Sequence, residues 1–143
     1  MPDAHCPVRP PRLLDFSIGG WPDGEDRLRF RKGELWTQGR PAEDRMEVPW
    51  IRRMPPSQEA WEGLWKLLQR VGAPAWARNY DDLSVDDGTQ WSLWILWERT
   101  RIRCDGSNAF PHGFNALEGA LRRFFHLPAQ EDPSPPGEPP ERP

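Results

Sequence analysis

The most specific chemical possibility in this chain rests on five arginines and two tryptophans: Arg27, Arg29, Arg31, Arg101 and Arg103, with Trp36 and Trp94. Arg27-Leu28-Arg29-Phe30-Arg31 alternates strictly between basic and apolar residues, the period-two signal of a half-buried strand. Lys32-Gly33 reads as a two-residue hairpin loop into Glu34-Leu35-Trp36-Thr37-Gln38,. Residues opposite one another in an antiparallel pair share a face. Arg31 then sits with Glu34, Arg29 with Trp36 and Arg27 with Gln38, while Phe30 with Leu35 and Leu28 with Thr37 take the other side. A second hairpin is expected from Trp91–Trp97, with a loop at Arg99-Thr100 leading into Arg101-Ile102-Arg103-Cys104. That register puts Trp97 with Ile102 and Ile95 with Cys104 on an apolar face, and Glu98 with Arg101, Leu96 with Arg103, beside Trp94, on the other.

Joined in one sheet, the two hairpins leave an uncovered face of arginine and tryptophan. Arginine binds carboxylate or phosphate through two parallel hydrogen bonds and stacks on indole. Such a face suits an acidic protein partner, because Trp and Arg are common interface anchors. It also suits single-stranded nucleic acid, which needs stacking platforms beside positive charge. The plain alternative is a solvated face, with arginine stems covering tryptophan and nearby carboxylates pairing the charges. A one-residue slip of register turns either face over.

Other chemistry finds less support. Cys104 and His112 together suggest a nucleophile and base for a small enzyme, but no motif joins them, and a lone His at a helix start is usually structural,. His5-Cys6 lacks further metal ligands,. The acidic run Asp81, Asp82, Asp86 and Asp87 fails the calcium-loop pattern, since its glycine comes too late and no closing Glu follows,. No glycine-rich phosphate loop, HExxH or GxSxG occurs,. The expectation is a non-enzymatic protein with no catalytic residues, metal or cofactor.

The elements that must position the face follow from patterning. Leu13–Ile18 reads as a first strand ended by Gly19-Gly20, with a turn at Pro22-Asp23-Gly24 and a short fourth strand around Arg45 to Val48,. Ser57 caps a helix whose Trp61, Leu64, Trp65, Leu68 and Val71 form one apolar stripe, closed by Gly72 and Pro74,. A second helix is expected from about His112 to Phe125, with Phe114, Leu117, Leu121 and Phe124 on its inner face. The order of elements predicts an α+β fold, an antiparallel sheet of about five to six strands with both helices on one side.

Residues 1–12 and 127–143 are proline-rich with almost nothing to bury, and are expected to stay disordered around a single domain at 13–126,. Nine tryptophans are more than so small a core hides, which places some of them at a surface,. A net charge of −3 argues against a molecule built as a whole for nucleic acid or anionic membrane,. Two cysteines, no leader peptide and no apolar run near ~18 residues predict a cytoplasmic protein without a membrane span,.

The stretch Asp87-Gly-Thr-Gln-Trp-Ser-Leu-Trp-Ile, then Gly106-Ser-Asn-Ala-Phe-Pro, then Phe114 and Leu117, spans about thirty residues. It resembles a group of small uncharacterised bacterial proteins sharing a DGxxWxLxI…GSNAYP..F..L pattern. The resemblance implies structure rather than activity: strand, strand, Asn-Ala-Phe-Pro turn, helix. Phe110 stands where the pattern has Tyr, which removes a hydroxyl and argues against essential chemistry there. Asn108 is expected to bridge backbone groups in the turn, and Pro111 to start the last helix. Ser107 and Asn108 lining a small polar pocket is the other reading.

Overall fold

The computed structural model describes residues 8–20, 24–40, 48–82 and 88–127. The first strand, β1 (Leu13–Gly20), becomes the centre of the sheet. It pairs antiparallel with β2 (Gly24–Arg31) on one side and with β6 (Gln90–Trp97) on the other. Outside β2 lie β3 (Glu34–Gln38) and β4 (Ile51–Arg53); outside β6 lie β7 (Thr100–Ser107) and β5 (Asn79–Asp81). Helices α1 (Gln58–Arg70) and α2 (Phe114–Phe124) cover one face.

The α+β class is as expected, but the sheet has seven strands and is mixed, not antiparallel with five or six. β5 runs parallel to β7, with Asn79, Tyr80 and Asp81 paired to Asp105, Gly106 and Ser107. β4 and β5 have three residues each, too few for an alternation to be read from sequence. β1 also runs on through Gly19 and Gly20, where a Cβ would collide with the Gly24 and Gly88 carbonyls. Those glycines permit close strand approach rather than ending the strand.

The first hairpin forms in the expected register, with Lys32 and Gly33 both at positive φ (54° and 77°) as a two-residue turn of this hand requires,. The second differs. Its turn is Glu98-Arg99, closing on Trp97 opposite Thr100, so Ile95 meets Ile102, Leu93 meets Cys104, Leu96 meets Arg101 and Trp94 meets Arg103. Moving an antiparallel turn by one residue shifts every partner by two. The faces are therefore preserved although the pairs change.

Burial alternates accordingly. Leu14, Phe16, Leu28, Phe30, Leu35, Leu93 and Ile95 lie under the helices, and so does Trp97. Trp61 of α1 is the hub there, with ring centroids 4.7 Å from Phe30, 5.0 Å from Phe125 and 5.7 Å from Trp97. The Ser57 hydroxyl accepts from the Ala60 N–H at 3.1 Å and caps α1 as expected,. The inner face of α2 is Phe114, Leu117 and Leu121, continued by Phe125 at its C-cap; Phe124, expected there, is exposed, one residue off the stripe. Pro111 precedes α2 by a turn, and Gly113, at φ 90°, caps it.

Val8 packs on the core, and the Arg9 carbonyl accepts from the Trp97 indole N–H at 2.6 Å. Leu127 is buried as well. The folded body thus takes in residues from both segments assigned to the tails. His5-Cys6, the Pro22-Asp23 turn, residues 45–47 of the expected fourth strand, Asp86 and Asp87, and the rest of the proline-rich ends lie outside the described residues.

Candidate functional site: the open sheet face

The sheet face away from the helices carries every residue of the arginine–tryptophan set. One row crosses six strands by direct pairing: Arg52, Trp36, Arg29, Asp15, Trp94, Arg103. Neighbouring strands are spaced by about 4.8 Å, so the side chains of the row stand side by side on one face. Arg29 Nε donates to Asp15 Oδ2 at 3.1 Å and its guanidinium lies 5.2 Å from the Trp50 ring centroid. Arg103 lies 4.7 Å over Trp94, the most exposed indole of the described residues at 39%.

The adjacent row is Glu34, Arg31, Leu13, Leu96, Arg101. On the other side comes Gln38, Arg27, Ser17, Ser92, Asp105, Asn79. The hairpins thus bring Trp94 against Arg103 and Trp36 beside Arg29. Arg27 is drawn away to Glu25 at 3.2 Å. Arg52, from β4 at Ile51–Arg53, beyond the fourth strand expected around Arg45 to Val48, pairs with Glu34 at 3.3 Å.

Asp15, Trp50 and Arg52 belong to this face and were missed. Asp15 was readable, since alternation in β1 sets it opposite Arg29 once β1 is placed beside β2. Trp50 and Arg52 were not, because the fourth strand was expected at Arg45 to Val48, ahead of both.

The face is electrically polarised. Arg27, Arg29 and Arg52 are matched by carboxylates, whereas Arg31, Arg101 and Arg103 have no carboxylate partner among the described residues. These three lie toward the hairpin-turn end. At the other end Glu25, Asp81 and Asp105 surround a shallow depression with Ser17, Gln90 and Ser107. With Glu25 matched by Arg27, Asp81 and Asp105 are the carboxylates that set the sign of this end, so the unmatched guanidinium groups and these acids lie at opposite ends of the face,.

Cys104 and His112 are not brought together as a nucleophile and base would require. Cys104 lies on the helix side of β7, buried, with its thiol pushed up to about 11 by desolvation and then by the Asp105 charge. His112 is exposed in the turn before α2. The thiolate is the nucleophile, and this site suppresses it. Cys104 is expected to resist iodoacetamide at mildly alkaline pH in the native protein and to react on unfolding. Peptide mapping in a Cys6→Ser background checks this; rapid native alkylation would restore the enzyme reading.

Among the described residues no group of three or more His, Cys, Asp or Glu converges as a metal site, and no helix is long and apolar enough to cross a membrane. Compared with known protein families and with curated proteins, the chain matches none.

Proposed function

We infer that this chain is a cytoplasmic, non-enzymatic binding or accessory protein that engages an acidic protein surface through the arginine–tryptophan face. The observation that supports the reading best is the group Arg31, Arg101 and Arg103, three guanidinium groups without carboxylate partners among the described residues, on the same face as the exposed Trp94, which Arg103 covers. A flat aromatic platform with unmatched forked donors at its rim has the composition of an interface anchor. The carboxylates Asp81 and Asp105 at the far end, where Glu25 is already paired with Arg27, favour a protein partner over single-stranded nucleic acid. A continuous phosphate backbone crossing the face would meet them, whereas an acidic protein patch need cover only the basic end.

The test is an affinity pulldown from host lysate comparing wild type with Arg101→Glu/Arg103→Glu, followed by titration of the purified captured protein. Both arginines are exposed on β7, so the double variant should keep its melting temperature, surface changes of this kind being worth about 0.5 kcal/mol or less. Binding should weaken by about 30-fold or more, the cost of losing an interface anchor. A nuclease-sensitive capture, with affinity falling steeply with salt, would instead assign the face to nucleic acid. Recovery of the same material by both variants would leave it a solvated surface.

A further inference from the structure

The helix layer carries a second surface, on the side of the molecule opposite the open sheet face. α1 and α2 lie antiparallel: Trp61 near the start of α1 meets Phe125 just past the end of α2, while Val71 just past α1 packs on Gly113 just before α2. Between them runs a groove of about 620 Å³ floored by Ala60, Gly63, Leu67, Ala116, Gly119 and Ala120. Phe124 stands on its rim with 55% of its surface exposed. A Cβ added at Gly63 or at Gly119 would meet nothing within 4 Å. Each mid-helix glycine costs about 1 kcal/mol relative to alanine, and nothing inside the protomer calls for either.

The charges lining the groove decide what fits it. Glu59 and Arg123 lie at one end, Arg70 and Asn115 at the other. A face-to-face pair of identical grooves has two possible two-fold axes. With the axis across the helices, α1 stacks on its copy reversed, and Glu59 meets Arg70 of the second molecule. With the axis along the helices, α1 stacks on the copy's α2, and Glu59 meets Arg123. Either way the acid finds a guanidinium and no two like charges coincide. Phe124, next to Arg123, then lies over the Asn115 end of the copy's α2 with the first axis and over Glu59 and Ala60 of its α1 with the second, so the copy covers this exposed ring in either arrangement,.

We propose that a second copy of this chain occupies the groove, forming a two-fold dimer through the helix layer. The proposal does not rest on the reading of the sheet face, but it gives that face a consequence. The dimer presents two open faces directed outward, and a bivalent molecule gains avidity for any repeated or paired partner.

Sedimentation velocity on the full chain, from micromolar to several hundred micromolar, tests it. Wild type should pass from monomer to dimer mass with rising concentration. Gly63→Leu/Gly119→Leu should stay monomeric over that range, with a melting temperature equal to or above wild type, because a Cβ at either position meets nothing within 4 Å and leucine favours the helix over glycine,. Glu59→Arg should weaken the dimer about tenfold through two symmetry-related pairs. Adding Arg70→Glu or Arg123→Glu should restore it, and whichever does identifies the axis. A wild type that remains monomeric overturns the proposal and leaves the groove to a partner of other chemistry. A dimer that survives the double leucine variant, or a Glu59→Arg loss that neither reversal restores, overturns it as well.

Discussion

Asp26→Ala is expected to lower the unfolding free energy by about 3 kcal/mol, measured as a fall in denaturant midpoint. Asp26 sits opposite Ile18 on the helix side of β2 and is 2% exposed. Its Oδ2 accepts from Arg122 Nη1 at 3.3 Å and lies 3.4 Å from Arg40 Nε. Arg122 belongs to α2 and also binds Glu118 at 2.8 Å. One carboxylate therefore ties α2 to the strand beneath it and neutralises two partly buried guanidinium groups. Removing one member of a buried pair leaves the others' charge uncompensated, at a cost of about 3–5 kcal/mol. The lower end applies here because Arg122 keeps Glu118 and Arg40 is partly exposed.

The same residue has a pH signature. Burial raises the Asp26 pKa above its ordinary value, outweighing the arginines that pull it down. The folded state therefore binds the proton more readily than the unfolded state does. This stabilisation is fully present below the unfolded value and is lost as pH rises through the folded one. Asp26→Asn retains an acceptor for Arg122 but cannot titrate. As pH falls from neutral, wild type should gain stability relative to Asp26→Asn. A difference that is flat or runs the other way would mean that the arginines, not desolvation, set the carboxyl's behaviour.

Much of the open face was legible because alternation fixes faces without fixing partners. Arg27, Arg29 and Arg31 landed where period two put them. Arg101 and Arg103 did so despite a misplaced turn, since the error displaced partners by two residues and left the parity intact. Glu98 takes the positive-φ position of that turn at 55°. Neither dipeptide, Glu98-Arg99 nor Arg99-Thr100, contains the Gly or Asn that marks such turns, so local chemistry could not choose between them. The bounds and pairing of the edge strands β4 and β5 were out of reach for a different reason. Three residues make one alternation, and their placement is decided by what the rest of the sheet leaves open. With the fourth strand expected at Arg45 to Val48, ahead of Ile51–Arg53, Arg52 and Trp50 could not be assigned to the face, nor the matching of Glu34 by Arg52. Asp26 was missed because an acidic residue beside a glycine turn reads as solvated; only the arrival of Arg122 from a helix 96 positions along the chain buries it.

Trp91→Ala should cost about 3–5 kcal/mol, the range for emptying a buried aromatic site, and should leave binding at the open face intact. Trp91 is 2% exposed, with ring centroids 4.6 Å from Phe114, 6.1 Å from Tyr80 and 6.3 Å from Phe110. Its indole N–H donates to the Ala109 carbonyl at 2.9 Å. Gly106 lies directly opposite, and a Cβ there would collide with the indole nitrogen. Asn108, at φ 63°, accepts from the Thr89 N–H at 2.9 Å and returns its own N–H to the Thr89 carbonyl at 2.8 Å. A side chain at Gly88 would strike that same carboxamide. Gly88, Trp91, Gly106, Asn108 and Phe110 are the residues of the DGxxW…GSNA-Phe-Pro pattern, and their spacing is met by one structural knot. It locks the β6–β7 end to α2, on the side of the sheet opposite Trp94 and Arg103. The discriminating measurement pairs thermal unfolding with partner titration well below the variant's lowered melting temperature. A less stable protein that still binds assigns the pattern to folding. A variant of undiminished stability that no longer binds would move the functional site from the arginine face to this knot.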